Sequence, residues 1–438
     1  MLIGIDASRA NRDHKSGTEW YSYYLIRWLA KLDKENQYIL YTDKPLKNGL
    51  LDLTTLQHLP DLSQKQEIKF DKAGYQIIKS PYNNFQAKVL NWPFNYFWTL
   101  GRLSWEMLIH KPEALFVPAH SLPLVFPKKT ITTIHDIAFE RDRSLYQADN
   151  IGPERKFFRK ILCFFVRVFT AGEYEANSMD YLKWSTKFAL KHARKIITVS
   201  NFSKNEILKV YKIDKEKIKV IYNGYNKSLY RKIDDQEKIN EILDKYGIES
   251  PFILYVGRLE KKKNTPALLE AFCLMRENNK NIKHKLVLIG DASFGYDEVK
   301  YIIKEFDLES EVIMPGWVEE EDLPYVYNAA TAFIFPTKYE GFGIPLLQAM
   351  SCQVPIAASG LPVLKEVGGE AILFFNPDNV NSMGEALKNI ITDDNLRERL
   401  IEKGKERVKN FSWEKCASET LAEINNLYNP PRPPLSRG

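Results

Sequence analysis

The stretch from Phe333 to Ala358, FIFPTKYEGFGIPLLQAMSCQVPIAA, constrains the fold more than any other part of the chain. It opens on the apolar run of a buried strand and turns through Glu340. A loop flanked by Gly341 and Gly343 follows, and a helix begins at Pro345. Proline suits the first helical turn, because the N–H it lacks has no intrahelical partner there. The glycines let a ligand come close to the backbone and allow positive φ. The exposed N–H groups of a helix start attract anions. A carboxylate at the same place offers acceptors to hydroxyls, so the unit suits a sugar phosphate. The same pattern also fits a plain strand-loop-helix of a parallel sheet, and this stretch alone leaves both readings open.

The rest of the chain repeats the theme. Short apolar runs at 2–5, 38–41, 114–117, 130–134 and 196–199 alternate with helical periodicity, as at 19–32. A second series runs through 252–256, 285–289, 312–314, 332–335, 356–357 and 372–374, with a helical pattern at 265–275. Such alternation predicts parallel sheets covered by helices. A chain of 438 residues can hold two such cores. The lysine- and acid-rich stretch 226–250 reads as the linker between residues 1–225 and 251–412. A helix over 413–428 and a proline-rich, disordered tail over 429–438 complete the expected division.

Glu340-Gly-Phe-Gly-Ile-Pro-Leu-Leu-Gln348 resembles the E-x7-E signature of retaining glycosyltransferases of family 4, also called group 1, which have the GT-B fold. The second glutamate of that signature is Gln348 here. The resemblance covers most of the chain, is strongest over 252–377, and has a mannosyltransferase-like character. It implies two doubly wound, Rossmann-like domains facing a central cleft, with helix 413–428 packing back on the first. It also implies transfer of a hexose from a nucleotide-sugar donor to a glycan or lipid-linked acceptor, with retention. GDP-mannose is the expected donor, with UDP-hexoses next.

Residue by residue, Arg258 and Lys263, in the loop VGRLEKKKN after the 252–256 run, match the family's phosphate pair. Preorganised cations there stabilise a departing diphosphate. Glu340 would hold hexose hydroxyls and Gln348 the ribose. Gly257, Gly341, Phe342, Gly343 and Ile344 would line the donor. Trp317 and Val318 match the segment facing the base, and Gly17 the first loop over the pyrophosphate. His135, in TTIHD, matches a histidine that reaches the donor sugar. Asp136 beside it and His120, in VPAHS, are acceptor-side candidates; each can equally be a cap or a loop residue. Ser200 and Asn223 match landmarks near the domain junction and also read as caps and turns. Two rival functions stay open: a binding protein that has lost catalysis, with Gln348 as its mark, and a nucleotide-sugar epimerase of the same fold.

Composition excludes other classes. The net charge of +6 is small for this length, and no nucleic-acid-binding signature is present. Cys163, Cys273, Cys352 and Cys416 fit no metal spacing. No D-x-D pair exists to hold a metal-bound diphosphate, so neither metal nor cofactor is expected. MLIGIDASRA reads as a strand and polar loop rather than a leader, and no run has the roughly 18 apolar residues of a membrane span. A cytoplasmic protein is expected. The segment RKFFRKILCFFVRVF, 155–169, is a basic amphipathic helix. Arg155, Lys156, Arg159, Lys160 and Arg167 fall on one side; Phe157, Phe158, Ile161, Phe164, Phe165 and Val168 fall on the other. Such a helix either lies on an anionic membrane, making the protein peripheral at its inner face, or packs on the first core.

Overall fold

The computed structural model describes residues 1–54, 67–94, 96–153, 156–170 and 172–427. Residues 1–140 and 148–223, with the chain from Trp413 on, form one compact unit. Residues 141–147 and 224–412 form the other. In the first unit the strands are β1 (Leu2–Asp6), β2 (Gln37–Thr42), β3 (Gln76–Ile77) and β4 (Phe85–Val89), followed by β5 (Ala114–Val117), β6 (Lys129–Ile134), β7 (Lys195–Thr198) and β8 (Ile218–Val220). Its helices are α1 (Gly17–Leu32), α2 (Ser104–Ile109), α3 (Ala138–Arg141), α4 (Lys156–Phe169), α5 (Ser178–His192) and α6 (Asn201–Val210). The second unit has β9 (Phe252–Val256), β10 (Lys285–Ile289), β11 (Val312–Gly316), β12 (Ala332–Phe335), β13 (Ile356–Ser359) and β14 (Ile372–Phe375). Its helices begin with α7 (Gln236–Lys245), α8 (Thr265–Asn278), α9 (Tyr296–Glu305) and α10 (Leu323–Ala329). They continue with α11 (Ile344–Ser351), α12 (Pro362–Gly368), α13 (Val380–Thr392) and α14 (Asp394–Val408). The last helix, α15 (Trp413–Asn426), belongs to the first unit.

Among the described residues the first sheet runs β3-β4-β2-β1-β5-β6-β7-β8 and is parallel apart from β3. The second runs β11-β10-β9-β12-β13-β14 and is parallel throughout. Strands covered on both faces must be apolar along their length. All four residues of β12, and the first four of β9, are accordingly buried. The strand order reverses between β1 and β5 in one sheet and between β9 and β12 in the other. Loops leaving neighbouring strands there diverge and open a crevice, the usual ligand position in such sheets.

The core of the second unit is built from β9 and β10 against α8 and α13, with Ile253, Leu268, Phe272, Leu288, Met383 and Leu387 among its buried members. In the first unit α15 lies on α1. The buried indole of Trp413 stacks on Tyr24, with centroids 5.5 Å apart and planes 18° apart. Burying such a ring stabilises the contact by about 1.5–3 kcal/mol.

Three strands depart from the sequence expectation. β3 has two residues and β8 three, too short for a pattern. β4, FQAKV, alternates because Gln86 on one face is exposed, so it lacks the continuous apolar run of its neighbours. The stretch expected as a linker, 226–250, is instead folded into the second unit. Tyr230 is fully buried there and donates to Glu320 at 2.8 Å, and Ile239, Ile242 and Leu243 of α7 are buried. Its charges cover the outer face of an amphipathic helix, which mimics linker composition. Residues 141–147, expected in the first unit, also group with the second. The tail 429–438 lies outside the described residues.

Candidate active site

The expected site residues fall into two groups, one in each unit. In the second unit they gather at the switch point. β9 leaves through Gly257 into a loop laced to the one after β10. Gly257 N–H donates to the Ile289 carbonyl at 2.9 Å, Leu259 N–H to Asp291 at 2.9 Å and Lys261 N–H to Phe294 at 2.8 Å. A Cβ on Gly290 (φ +141°) would come within 2.1 Å of the Gly257 carbonyl oxygen, so only glycine permits this approach. The buried Tyr255 hydroxyl donates to the Arg258 carbonyl at 2.8 Å and pins the turn from inside.

The loop ends in a single turn, Lys261–Lys263. Its Lys262 carbonyl accepts from Lys338 N–H at 2.9 Å and the Thr337 hydroxyl at 3.2 Å. These bonds tie it to the loop after β12 and set Lys263 opposite Glu340. Lys263 Nζ lies 2.6 Å from Glu340 Oε2 and 5.3 Å from the centre of the Phe335 ring. The two side chains are 15% and 17% exposed, so the pair stands at the mouth of a crevice. Arg258 is exposed, and its guanidinium makes no ion pair or hydrogen bond among the described residues.

Gly343 caps α11 with φ +95° and Pro345 sits in the first turn. The helix therefore starts beside Glu340. Gly341 and Gly343 are buried and present backbone only. The ring of Phe342 is buried edge-on against Phe411 at 5.8 Å, and Val318 is buried too. At those two positions only main chain is available to a donor. Ile344 and Trp317 are half-buried at the rim. Gln348, buried on α11, accepts a long 3.5 Å hydrogen bond from the Tyr327 hydroxyl.

In the first unit His120, His135 and Gly17 follow β5, β6 and β1. His135 stands edge-on to Tyr21, ring centres 4.8 Å apart, and its Nε2 is 3.1 Å from the Pro118 carbonyl. That carbonyl requires a proton on Nε2, leaving Nδ1 as an acceptor. Burial pushes the His135 pKa down, against the pull of the Pro118 carbonyl and Asp136. Burial, with Arg9 and His135 nearby, pushes His120 down to about 4. Both imidazoles are thus neutral at pH 7, suited to hydroxyls rather than to anions. Asp136 Oδ1 caps α3, accepting from Ala138 N–H at 3.0 Å. A Cβ on Gly17 would meet nothing within 4 Å, so the protein's own packing does not require glycine there. Ser200 caps α6 through Ser203 N–H at 3.0 Å.

One cation beside these was not singled out from the sequence. Arg9, in the loop after β1, pairs with the buried Glu19 of α1 at 3.2 Å. Glu19 Oε2 also accepts the Ser16 amide at 3.2 Å. The available signal was position alone, a cation just past the carboxyl end of a strand at the switch point.

Comparison with known proteins agrees with this arrangement. Residues 15–229 match the family described as Glycosyltransferase Family 4, and 235–407 that described as Glycosyl transferases group 1. The chain is 30% identical over 393 residues to the O-antigen chain mannosyltransferase B of Escherichia coli, covering 87% of this chain and 98% of that one. It is 26% identical to the O-antigen chain mannosyltransferase RfbU of Salmonella typhimurium, over 77% of this chain and 84% of the relative. Among solved structures, the sucrose-phosphate synthase of Thermosynechococcus elongatus superposes with a TM-score of 0.68 at 18% identity, covering 98% of this chain and 99% of that one. Two sheets, parallel apart from the short β3, a carboxylate paired with lysine at a glycine-flanked helix start, and these matches along nearly the whole chain make it a GT-B glycosyltransferase, a member of the group 1, family 4 glycosyltransferases.

Proposed function

We propose that the protein transfers a mannosyl residue from GDP-mannose to a lipid-linked glycan, with retention at the anomeric carbon and without a metal ion. The observation that carries this reading is the Lys263–Glu340 pair at the start of α11. A lysine held by a carboxylate can turn to a diphosphate when one arrives, and the carboxylate is then free to accept from sugar hydroxyls. Arg258, exposed and without an ionic partner among the described residues, adds a second cation able to bind phosphate bidentately. The helix start contributes N–H groups. Together they stabilise the charge that grows on the leaving diphosphate. Gln348 faces the ribose. The neutral His135 and His120 hold hydroxyls, His135 through Nδ1. Mannose is favoured by the names of the two curated relatives, both O-antigen chain mannosyltransferases.

The protein acts at the inner face of the membrane as a peripheral enzyme. Among the described residues no helix is long and apolar enough to cross a bilayer. α4 supports surface attachment: Phe157 is 69% and Phe164 63% exposed, with Lys160 and Arg167 also exposed. Arg167 is partly neutralised by Glu175 at 2.8 Å. Arg155 lies outside the described residues. The direct test is a thermal-shift screen of nucleotide sugars followed by mass spectrometry of products formed on lipid-linked glycans. Stabilisation by GDP-mannose and a hexose added to the acceptor are expected. Selective stabilisation by, and transfer from, a UDP-sugar would overturn the choice of donor.

A further inference from the structure

The first unit carries a second exposed apolar surface, apart from α4. Trp105, Leu108 and Ile109 of α2 stand at i, i+3 and i+4 and so share one face. That face points outward: Trp105 is 60% and Leu108 62% exposed, and Ile109 is exposed as well. The helix cannot roll to hide it, because its other side is fixed. Met107 is fully buried. The buried Glu106 gathers Lys88 Nζ at 2.5 Å, His110 Nδ1 at 3.2 Å and an Arg102 nitrogen at 3.4 Å.

The surface continues onto the loop before β6. Leu124, exposed, donates its amide to Ser104 Oγ at 2.7 Å. Two residues on, the half-buried Phe126 meets Phe188 of α5 edge-on at 6.1 Å. Cations rim this band. Lys111, Lys128 and Lys191 are exposed. Apart from the buried Glu106, the acid nearest in sequence is Glu113, which is exposed and accepts the Leu2 amide at 2.9 Å.

An exposed indole beside aliphatic side chains, with lysines around them, matches the chemistry of a bilayer interface. The ring sits at headgroup level while the ammonium groups meet anionic lipid. A second copy docking through the same face would bring two lysine-rimmed surfaces together. We propose that the α2 face, with Leu124, is a docking surface for anionic phospholipid, so that this unit meets the membrane over a face and not through α4 alone. The proposal rests on the peripheral-membrane reading above and extends it to an element that reading does not use.

The test compares three proteins on vesicles of phosphatidylglycerol and phosphatidylcholine: the full chain, Leu108→Ser with Leu124→Ser, and the α4 variant Phe157→Ser with Phe164→Ser. The α2 variant should partition about tenfold or more weakly, with unchanged melting. Brominated phospholipid should quench tryptophan emission, and Trp105→Phe should remove much of that quenching. If the α2 variant binds like the full chain while the α4 variant does not, the α4 reading stands and this proposal falls. Failure of the full chain to bind overturns both. A concentration-dependent dimer in lipid-free solution, lost in the α2 variant, would also overturn it by making the face a subunit interface.

Discussion

Replacing Glu340 by alanine removes one half of the ion pair at the helix start. At 2.6 Å and an effective dielectric near 20, the gross attraction is about 6 kcal/mol. Both groups keep some contact with water, which offsets most of this, so a net loss of about 1–3 kcal/mol is expected. That corresponds to about 2–4 °C in melting temperature per kcal/mol for a domain of this size. Catalysis should suffer more. Lys263 is left without its carboxylate and stays available to the diphosphate, so the donor KM should change by no more than about threefold. The sugar hydroxyls lose their charged acceptor as the anomeric bond breaks. A loss of at least about 10²-fold in kcat follows, roughly 2.7 kcal/mol of transition-state stabilisation. Glu340→Gln keeps the shape and should fall between the two. The assay is steady-state transfer by mass spectrometry, with melting curves as the folding control. Near-normal kcat in a folded Glu340→Ala protein, or a loss confined to KM, would refute the reasoning.

Gln348→Glu should change the donor KM by less than about tenfold with little effect on kcat, because a ribose hydroxyl gains about 1 kcal/mol from a charged acceptor but does not change charge in the reaction. Transfer should survive exhaustive EDTA treatment; restoration of lost activity by Mg²⁺ or Mn²⁺ would show that Arg258 and Lys263 do not suffice. His120 has a folded pKa of about 4, below its unfolded value near 6.5. Its contribution is therefore present above pH 6.5 and is lost as pH falls through 4. Between pH 7 and 4.5 the first unit should lose about 2–3 kcal/mol to this group, a loss that denaturant midpoints should find diminished in His120→Asn.

Sequence patterns were strongest where one local constraint dominated. The strand-loop-helix from Phe333 was legible because a fully buried strand, a positive-φ glycine and an N-terminal proline each leave a residue-type signature. The contact between Lys263 and Glu340 was not: 77 residues separate them, and the bonds from Lys338 and Thr337 to the Lys262 carbonyl align them. The Arg9–Glu19 pair was hidden for a similar reason, since each residue alone looks like an ordinary surface charge. The stretch 226–250 misled because linker composition and an amphipathic helix look alike until the burial of Tyr230 and Leu243 is known. Phe342 shows the reverse: the motif marked the position, but its ring serves the core against Phe411.

The most direct test of mannosyl transfer with retention is the product itself. The purified protein would be incubated with α-configured GDP-mannose labelled at C1 and a lipid-linked glycan, in EDTA, and the new linkage read by NMR of the labelled anomeric carbon. The account predicts one added mannose in the α configuration. A β-linked product, or release of free mannose with no linkage formed on any glycan acceptor, would contradict it.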